Sequence, residues 1–266
     1  MDVETKMTRK ADGATSCATI AAGTPSTKLI CSDAPKPVLI IGHQKHSNPG
    51  RIGQWLVQNG YPLDIRRPRF GCPLPETLEE HAGAVIFGGP MSANDNEGYL
   101  RQEIDWIGVP LREDRPFLGV CLGAQLMALH LGAAVGPHTD DYVEIGYYDI
   151  EATEAGARFG DWPTAFYQWH REGFELPEGS TLLARTQWYE NQAFSYGSSA
   201  LGVQFHPEIT YALVNRWTIA ARERLVLRGA QSQPEHFRGH LTHSPSVGNW
   251  LDCFMPQWLN GSLANR

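Results

Sequence analysis

The sequence has no run of eighteen apolar residues, so no membrane-spanning helix is expected. It has neither a Gly-x-Gly-x-x-Gly fingerprint nor a P-loop, so no phosphate-cradling loop and no cofactor are expected. It has no surplus of positive charge. Lys and Arg number 22 against 29 Asp and Glu, a net charge of -7, which leaves no electrostatic footprint for nucleic acid or an anionic membrane. It has no internal repeat. It is poor in cysteine: five, at positions 17, 31, 72, 121 and 253, an odd number with no Cys-x-x-Cys pair. That argues against a disulfide framework or a zinc site and suits a reducing, cytoplasmic setting.

What is present begins with residues 1–35. They are rich in Ala, Ser, Thr and Lys and lack hydrophobic periodicity, so they read as a disordered extension. A targeting peptide is the competing reading. A secretion signal would need an apolar core that is missing, and Asp2, Glu4 and Asp12 weaken a mitochondrial one.

From residue 36 the chain alternates short apolar runs with helical stretches. Strands are predicted at 37–41, 61–65, 84–87 and Phe117–Val120, and helices at 50–59, 74–81, 99–108 and 122–131. This is the rhythm of a doubly wound, mostly parallel α/β sheet flanked by helices. Residues 134–196 change character. Strand-like pieces at 143–150, 165–169, 181–186 and 192–196, separated by turn clusters, predict a short antiparallel extension. A last strand at 200–205 precedes an amphipathic helix at 209–228, in which Leu213, Trp217, Ala221 and Leu225 repeat at four-residue spacing. The tail, 230–266, is expected to hold helices at 234–241 and 246–259 that pack back on the 36–229 domain or dock a partner.

Three stretches carry chemistry. In Gly119-Val120-Cys121-Leu122-Gly123 a cysteine stands between a strand and a helix, with glycine two residues to either side. That is the cysteine form of a nucleophile elbow: the glycines remove side chains from a tight crossing, and a helix N-terminus favours the thiolate. The same stretch also suits an ordinary buried cysteine. Gly88-Gly89-Pro90 ends a strand, where a backbone amide can turn toward the crevice in which open α/β sheets bind ligands. It equally makes a plain turn. His206-Pro207-Glu208 ends the last strand and reads as a base with its orienting carboxylate. Singly, these are also a strand-end histidine and a first-turn glutamate. His170 could be a base but reads better as lining or closing a pocket. His236, His240 and His243 have metal-like spacing, but Gly239 and the lack of an acidic or cysteine companion argue against a metal there.

Taken together, in this order and at these intervals, the three motifs resemble the class I (triad) glutamine amidotransferases, and in particular free-standing proteins similar to the amidotransferase domain of GMP synthase. The resemblance covers residues 37–228. It implies a flavodoxin-like fold with Cys121 as nucleophile, His206 as base and Glu208 as its orienter. It further implies an oxyanion hole from the Gly89 and Leu122 amides and contact of Gln125 with a bound glutamine. The implied reaction passes through a γ-glutamyl thioester and releases ammonia. The tail after Arg228 is too short for a synthetase domain, so the ammonia acceptor is expected on a separate synthetase subunit. Two alternatives stay open: a γ-glutamyl peptide hydrolase with the same triad, and a catalytically silent regulatory subunit.

Overall fold

The computed structural model describes residues 34–261 and the backbone of residues 19–20. In chain order the elements are β1 (Thr19–Ile20), β2 (Val38–Ile41), α1 (Gly50–Gln58), β3 (Leu63–Arg66), β4 (Gly83–Ile86), α2 (Gly98–Trp106), α3 (Gly108–Arg112), β5 (Phe117–Val120), α4 (Leu122–His130), β6 (Val135–Pro137), β7 (Glu144–Asp149), β8 (Glu151–Ala152), β9 (Ala165–His170), β10 (Glu172–Phe174), β11 (Thr181–Arg185), β12 (Ala193–Tyr196), β13 (Ala200–Val203), α5 (Tyr211–Ala220) and α6 (Gln233–Leu259). Short 3-10 turns occupy Pro68–Phe70, Gly156–Phe159 and Arg222–Val226.

The sheet order is β1-β3-β2-β4-β5-β13-β12-β11-β8. From β3 to β13 neighbouring strands are parallel. β12, β11 and β8 continue the sheet antiparallel beyond β13. β2, β4, β5 and β13 are buried along their whole length, as strands covered on both faces must be. Their successive side chains point to opposite faces. Val38 and Ile40 of β2 join Leu118 and Val120 of β5 on the face covered by Trp250, Phe254 and Trp258 of α6. Leu39, Ile41 and Phe117 join Leu126 and Met127 of α4 on the other.

Four expectations are corrected. Residues 74–81 form turns, not a helix; side chains tether them instead, Trp106 Nε1 donating to Pro75 O (2.7 Å) and Leu78 N to Glu113 Oε2 (2.8 Å). The helix expected over 209–228 is shorter. Thr210 caps its start by accepting from Leu213 N, and Ala221 leaves the helical region at φ -128°, so Arg222–Val226 winds as a 3-10 turn. The two tail helices are one, α6, which runs through Pro245 and Pro256. A Ser232–Glu235 capping box starts it, and its buried tryptophans hold it to the sheet; together these outweigh a hydrogen bond lost at proline. The antiparallel region is not all one sheet, since β7 pairs with β9 and β6 with β10 as separate two-stranded ribbons.

Two further points concern the extension and the cysteines. Within residues 1–35, Thr19–Ile20 forms a two-residue strand antiparallel to β3, where disorder was expected; 1–18 and 21–33 lie outside the described residues. Cys72 is disulfide-bonded, where the cysteine pattern was read as arguing against a disulfide framework. Cys121 and Cys253 are free. Among the described residues no helix is long and apolar enough to cross a membrane.

Candidate active site

β5 ends at Val120 and α4 begins at Leu122, so Cys121 turns the corner alone, at φ 51° and ψ -106°. Such a conformation costs a non-glycine residue on the order of 1–3 kcal/mol and persists only where its surroundings hold it. Here they do. Cys121 N donates to Val203 O (2.8 Å), and the amides of Ala124 and Gln125 donate to Cys121 O (3.0 and 3.1 Å). The flanking glycines are required by contact. A Cβ on Gly119 would lie 2.6 Å from the Gly123 carbonyl carbon, and one on Gly123 would lie 2.1 Å from Ile86 O.

β13 lies beside β5 with Val203 level with Val120, which carries His206, three residues on, toward the elbow. His206 N donates to Tyr167 O (2.8 Å), and its Nδ1 is 2.8 Å from Glu208 Oε1. The ring meets Trp217 edge-on at 4.9 Å. The end of β4 completes the convergence. A Cβ built on Gly88 would lie 2.9 Å from His206 Cε1, 3.4 Å from Cys121 Cβ and 3.8 Å from Cys121 Sγ. His206 Nε2 is buried with no hydrogen-bond partner among the described residues, and the Cys121 sulfur acts on the ring electrostatically. Burial is the largest influence on the ring and pulls its pKa down. The Glu208 carboxylate, to which the ring is hydrogen-bonded, and the negative charge of Cys121 outweigh it and push His206 up to about 10.

Gly89 stands next to Leu122. A Cβ on Gly89 would lie 3.1 Å from Leu122 Cδ2, 3.1 Å from His43 Cβ and 2.5 Å from Met91 Sδ. Among the described residues, neither the Gly89 nor the Leu122 amide donates to another group of the chain; Leu122 opens α4, where helix amides have no partner in the helix. Gln125, one turn into α4, is buried. Its Nε2 donates to Glu172 O (2.8 Å) and to Gln204 Oε1 (3.2 Å), and Gln204 Nε2 in turn reaches Cys121 Sγ (3.6 Å).

Above the thiol opens a cavity of about 330 Å³ whose walls include Gly88, Cys121, Trp169, His206, Trp217 and Arg224. Arg224 comes from the 3-10 turn after α5, where burial and the nearby Arg171 guanidinium pull it below the usual arginine range. A smaller pocket on the Gly89 side is walled by Gln125, His170 and Glu172. His170 is held on both nitrogens, Nε2 3.1 Å from Glu144 Oε2 and Nδ1 3.1 Å from Glu172 O. Its wall position is pinned by a buried net in which Thr186 and Gln192 also bond Glu144. The tail histidines face β7 and β9. His236 Nδ1 is 2.9 Å from Tyr167 OH, His240 Nδ1 is 3.0 Å from Tyr147 OH, and His243 stacks on Tyr147. Burial pulls all three imidazoles down.

Sequence reasoning missed Gln204, Trp217 and Arg224. Gln204 sits two residues before His206 on the strand that was recognised. Trp217 was read as part of the apolar stripe of one long helix, and the break at Ala221 places Arg224, in the 3-10 turn that follows, at the cavity wall.

Residues 47–215 match the family model described as glutamine amidotransferase class-I. The chain is 32% identical over 188 residues to a protein from Salmonella typhimurium named "Putative glutamine amidotransferase-like protein YfeJ", covering 66% of this chain and 77% of that one. It is 36% identical over 143 residues to the GMP synthase [glutamine-hydrolyzing] of Bacillus pumilus, covering 52% of this chain and only 26% of that protein's length. A crystal structure described as a glutamine amido transferase from Methylobacillus flagellatus superposes with a TM-score of 0.80 at 26% identity, over 86% of this chain and 96% of that one.

Proposed function

Since the chain belongs to the class I glutamine amidotransferases, we propose that it cleaves the side-chain amide of glutamine through a Cys121–His206–Glu208 triad. The observation that carries this reading is the meeting of Cys121 and His206 over Gly88, with Glu208 2.8 Å behind the imidazole.

In this reading His206 Nε2 takes the Cys121 proton, and Glu208 stabilises the imidazolium and fixes the ring. The thiolate attacks the amide carbon, and the oxygen, now negative, lies between the Gly89 and Leu122 amides. Removing one such donor costs on the order of a hundredfold or more in rate. His206 returns the proton to the departing nitrogen, ammonia leaves, and a γ-glutamyl thioester remains. Water, deprotonated by His206, attacks the thioester and releases glutamate and the free thiol. Gln125, already tied to Glu172 and Gln204, shapes the glutamine pocket. The GMP synthase relative, of which this chain spans about a quarter, suggests the acceptor: the ammonia would pass to a separate synthetase subunit.

One observation favours a second reading. The cavity extends from the thiol to Trp217 and Arg224, with room for a leaving group larger than ammonia, so the same triad would hydrolyse γ-glutamyl peptides. Ammonia release from glutamine, and amine release from γ-glutamyl dipeptides, measured on wild type and Cys121→Ala, test both. Cys121→Ala is expected to lose activity on either, and a reactive glutamine analogue is expected to label Cys121 in the wild type. Full activity in Cys121→Ala would overturn the proposal, and the substrate with the higher kcat/KM decides between the two readings.

A further inference from the structure

Beneath the Gly88–Gly89 turn lies a second histidine–glutamate pair that the triad does not use. His43, two residues past β2, and Glu103, in α2, are both wholly buried, with Nε2 2.7 Å from Oε2. The other ring nitrogen, Nδ1, is 3.2 Å from Gly88 O. A carbonyl oxygen only accepts, so Nδ1 carries a proton and donates it.

The carbonyl that His43 holds belongs to the same peptide unit as the Gly89 amide. That unit is planar and trans, so its C=O and N–H point in opposite directions. Fixing the oxygen fixes the aim of the hydrogen. A fixing contact is needed here because glycine stands on both sides of the bond, and no Cβ opposes rotation of the peptide. A rotated peptide would turn the carbonyl oxygen, in place of the N–H, toward a developing negative charge. Glu103 Oε1 is buried with no partner among the described residues, so the carboxyl's one hydrogen bond there goes to the ring.

We infer that His43 and Glu103 are positioning residues that aim the Gly89 amide at the oxyanion. This rests on the thioester chemistry proposed above. Removing His43 alone would strand a buried carboxyl and risk misfolding, so the informative variant is His43→Leu/Glu103→Leu, which removes both polar partners. Glu103→Gln is its counterpart. The glutamine amide can donate to Nε2 while Nδ1 still donates to Gly88 O, so the pin survives without the carboxyl.

The measurements are kcat and KM for glutamine, the affinity of glutamate γ-semialdehyde, which forms a tetrahedral adduct with the thiol, and the rate of Cys121 alkylation by iodoacetamide, which forms none. For the double variant, kcat is expected to fall at least about tenfold with KM little changed. Aldehyde affinity should fall by a similar factor, and alkylation should stay within about threefold of wild type. Glu103→Gln is expected to recover most of kcat. A folded double variant with kcat and aldehyde affinity within twofold of wild type overturns the inference, as does a loss confined to KM. Unchanged turnover in Cys121→Ala would instead sink the thioester chemistry itself, so the two failures are separable.

Discussion

Replacing Gly123 with alanine would drive a methyl group into the end of β4. The new carbon would lie 2.1 Å from Ile86 O and 2.8 Å from the Ile86 carbonyl carbon. Both atoms are backbone, so no side chain can swing aside. α4 must back away from β4 by about 1 Å to reach a tolerable contact. Gly123 is two residues past Cys121, and between them lies Leu122, the first amide of α4. The displacement therefore moves the thiol and one proposed oxyanion donor relative to Gly88 and Gly89, which sit at the end of β4. A misplacement of about 1 Å at reacting groups costs on the order of a hundredfold in rate. The packing strain itself costs about 1–3 kcal/mol.

Gly98→Ala is the matching control, because a Cβ there meets nothing within 4 Å at the start of α2. It should leave kcat/KM unchanged and hold or slightly raise Tm. Ammonia release over a range of glutamine concentrations, with thermal unfolding alongside, reads both. Gly123→Ala retaining kcat/KM within twofold, at an unchanged Tm, would show that the elbow does not depend on this contact.

Two further outcomes follow from the same geometry. With His206 pushed up to about 10 from an ordinary 6.5, the native state holds its proton more tightly than the unfolded chain. Its contribution to stability is therefore complete below pH 6.5 and disappears as the pH rises through about 10. An NMR titration should find the ring still protonated at pH 8 in the wild type, and a lower midpoint in Cys121→Ala, where one source of the upward push is gone; equal midpoints near 6.5 in both would contradict the account. In α6, Trp258 is fully buried against Gly83, and its Nε1 is buried with no partner among the described residues. Trp258→Ala should cost about 3–5 kcal/mol in urea unfolding. Trp258→Phe should cost less than about 1.5, because it keeps a ring and removes an unsatisfied donor.

What could be read from the sequence was what neighbouring residues impose on one another. The elbow is legible because a strand turning directly into a helix leaves no room at Gly119 and Gly123, and that requirement is written within five residues. His206 and Glu208 are legible because a strand end, a proline and a carboxylate stand together. What stayed hidden depends on distance or on packing. His43 and Glu103 are sixty residues apart, and nothing around either hints at the other. Gln204 lies in a strand already recognised, yet its reach to the thiol depends on the register of β13 against β5. Residues 209–228 carry a four-residue apolar repeat that suits one helix throughout, but a repeat records only which side chains are apolar. It does not record that Ala221 breaks the helix and swings Arg224 over the thiol. The two helices expected at 234–241 and 246–259 err in the opposite sense, since α6 runs unbroken through Pro245 with Trp250 and Trp258 buried. The motifs proposed to carry the chemistry are thus local in sequence, whereas the contacts made to them, His43 on Gly88 and Gln204 on Cys121, exist only once the strand ends have met. On the inference drawn above, a substitution far from Cys121 along the chain, such as at Glu103, is expected to lower kcat as one beside the thiol would.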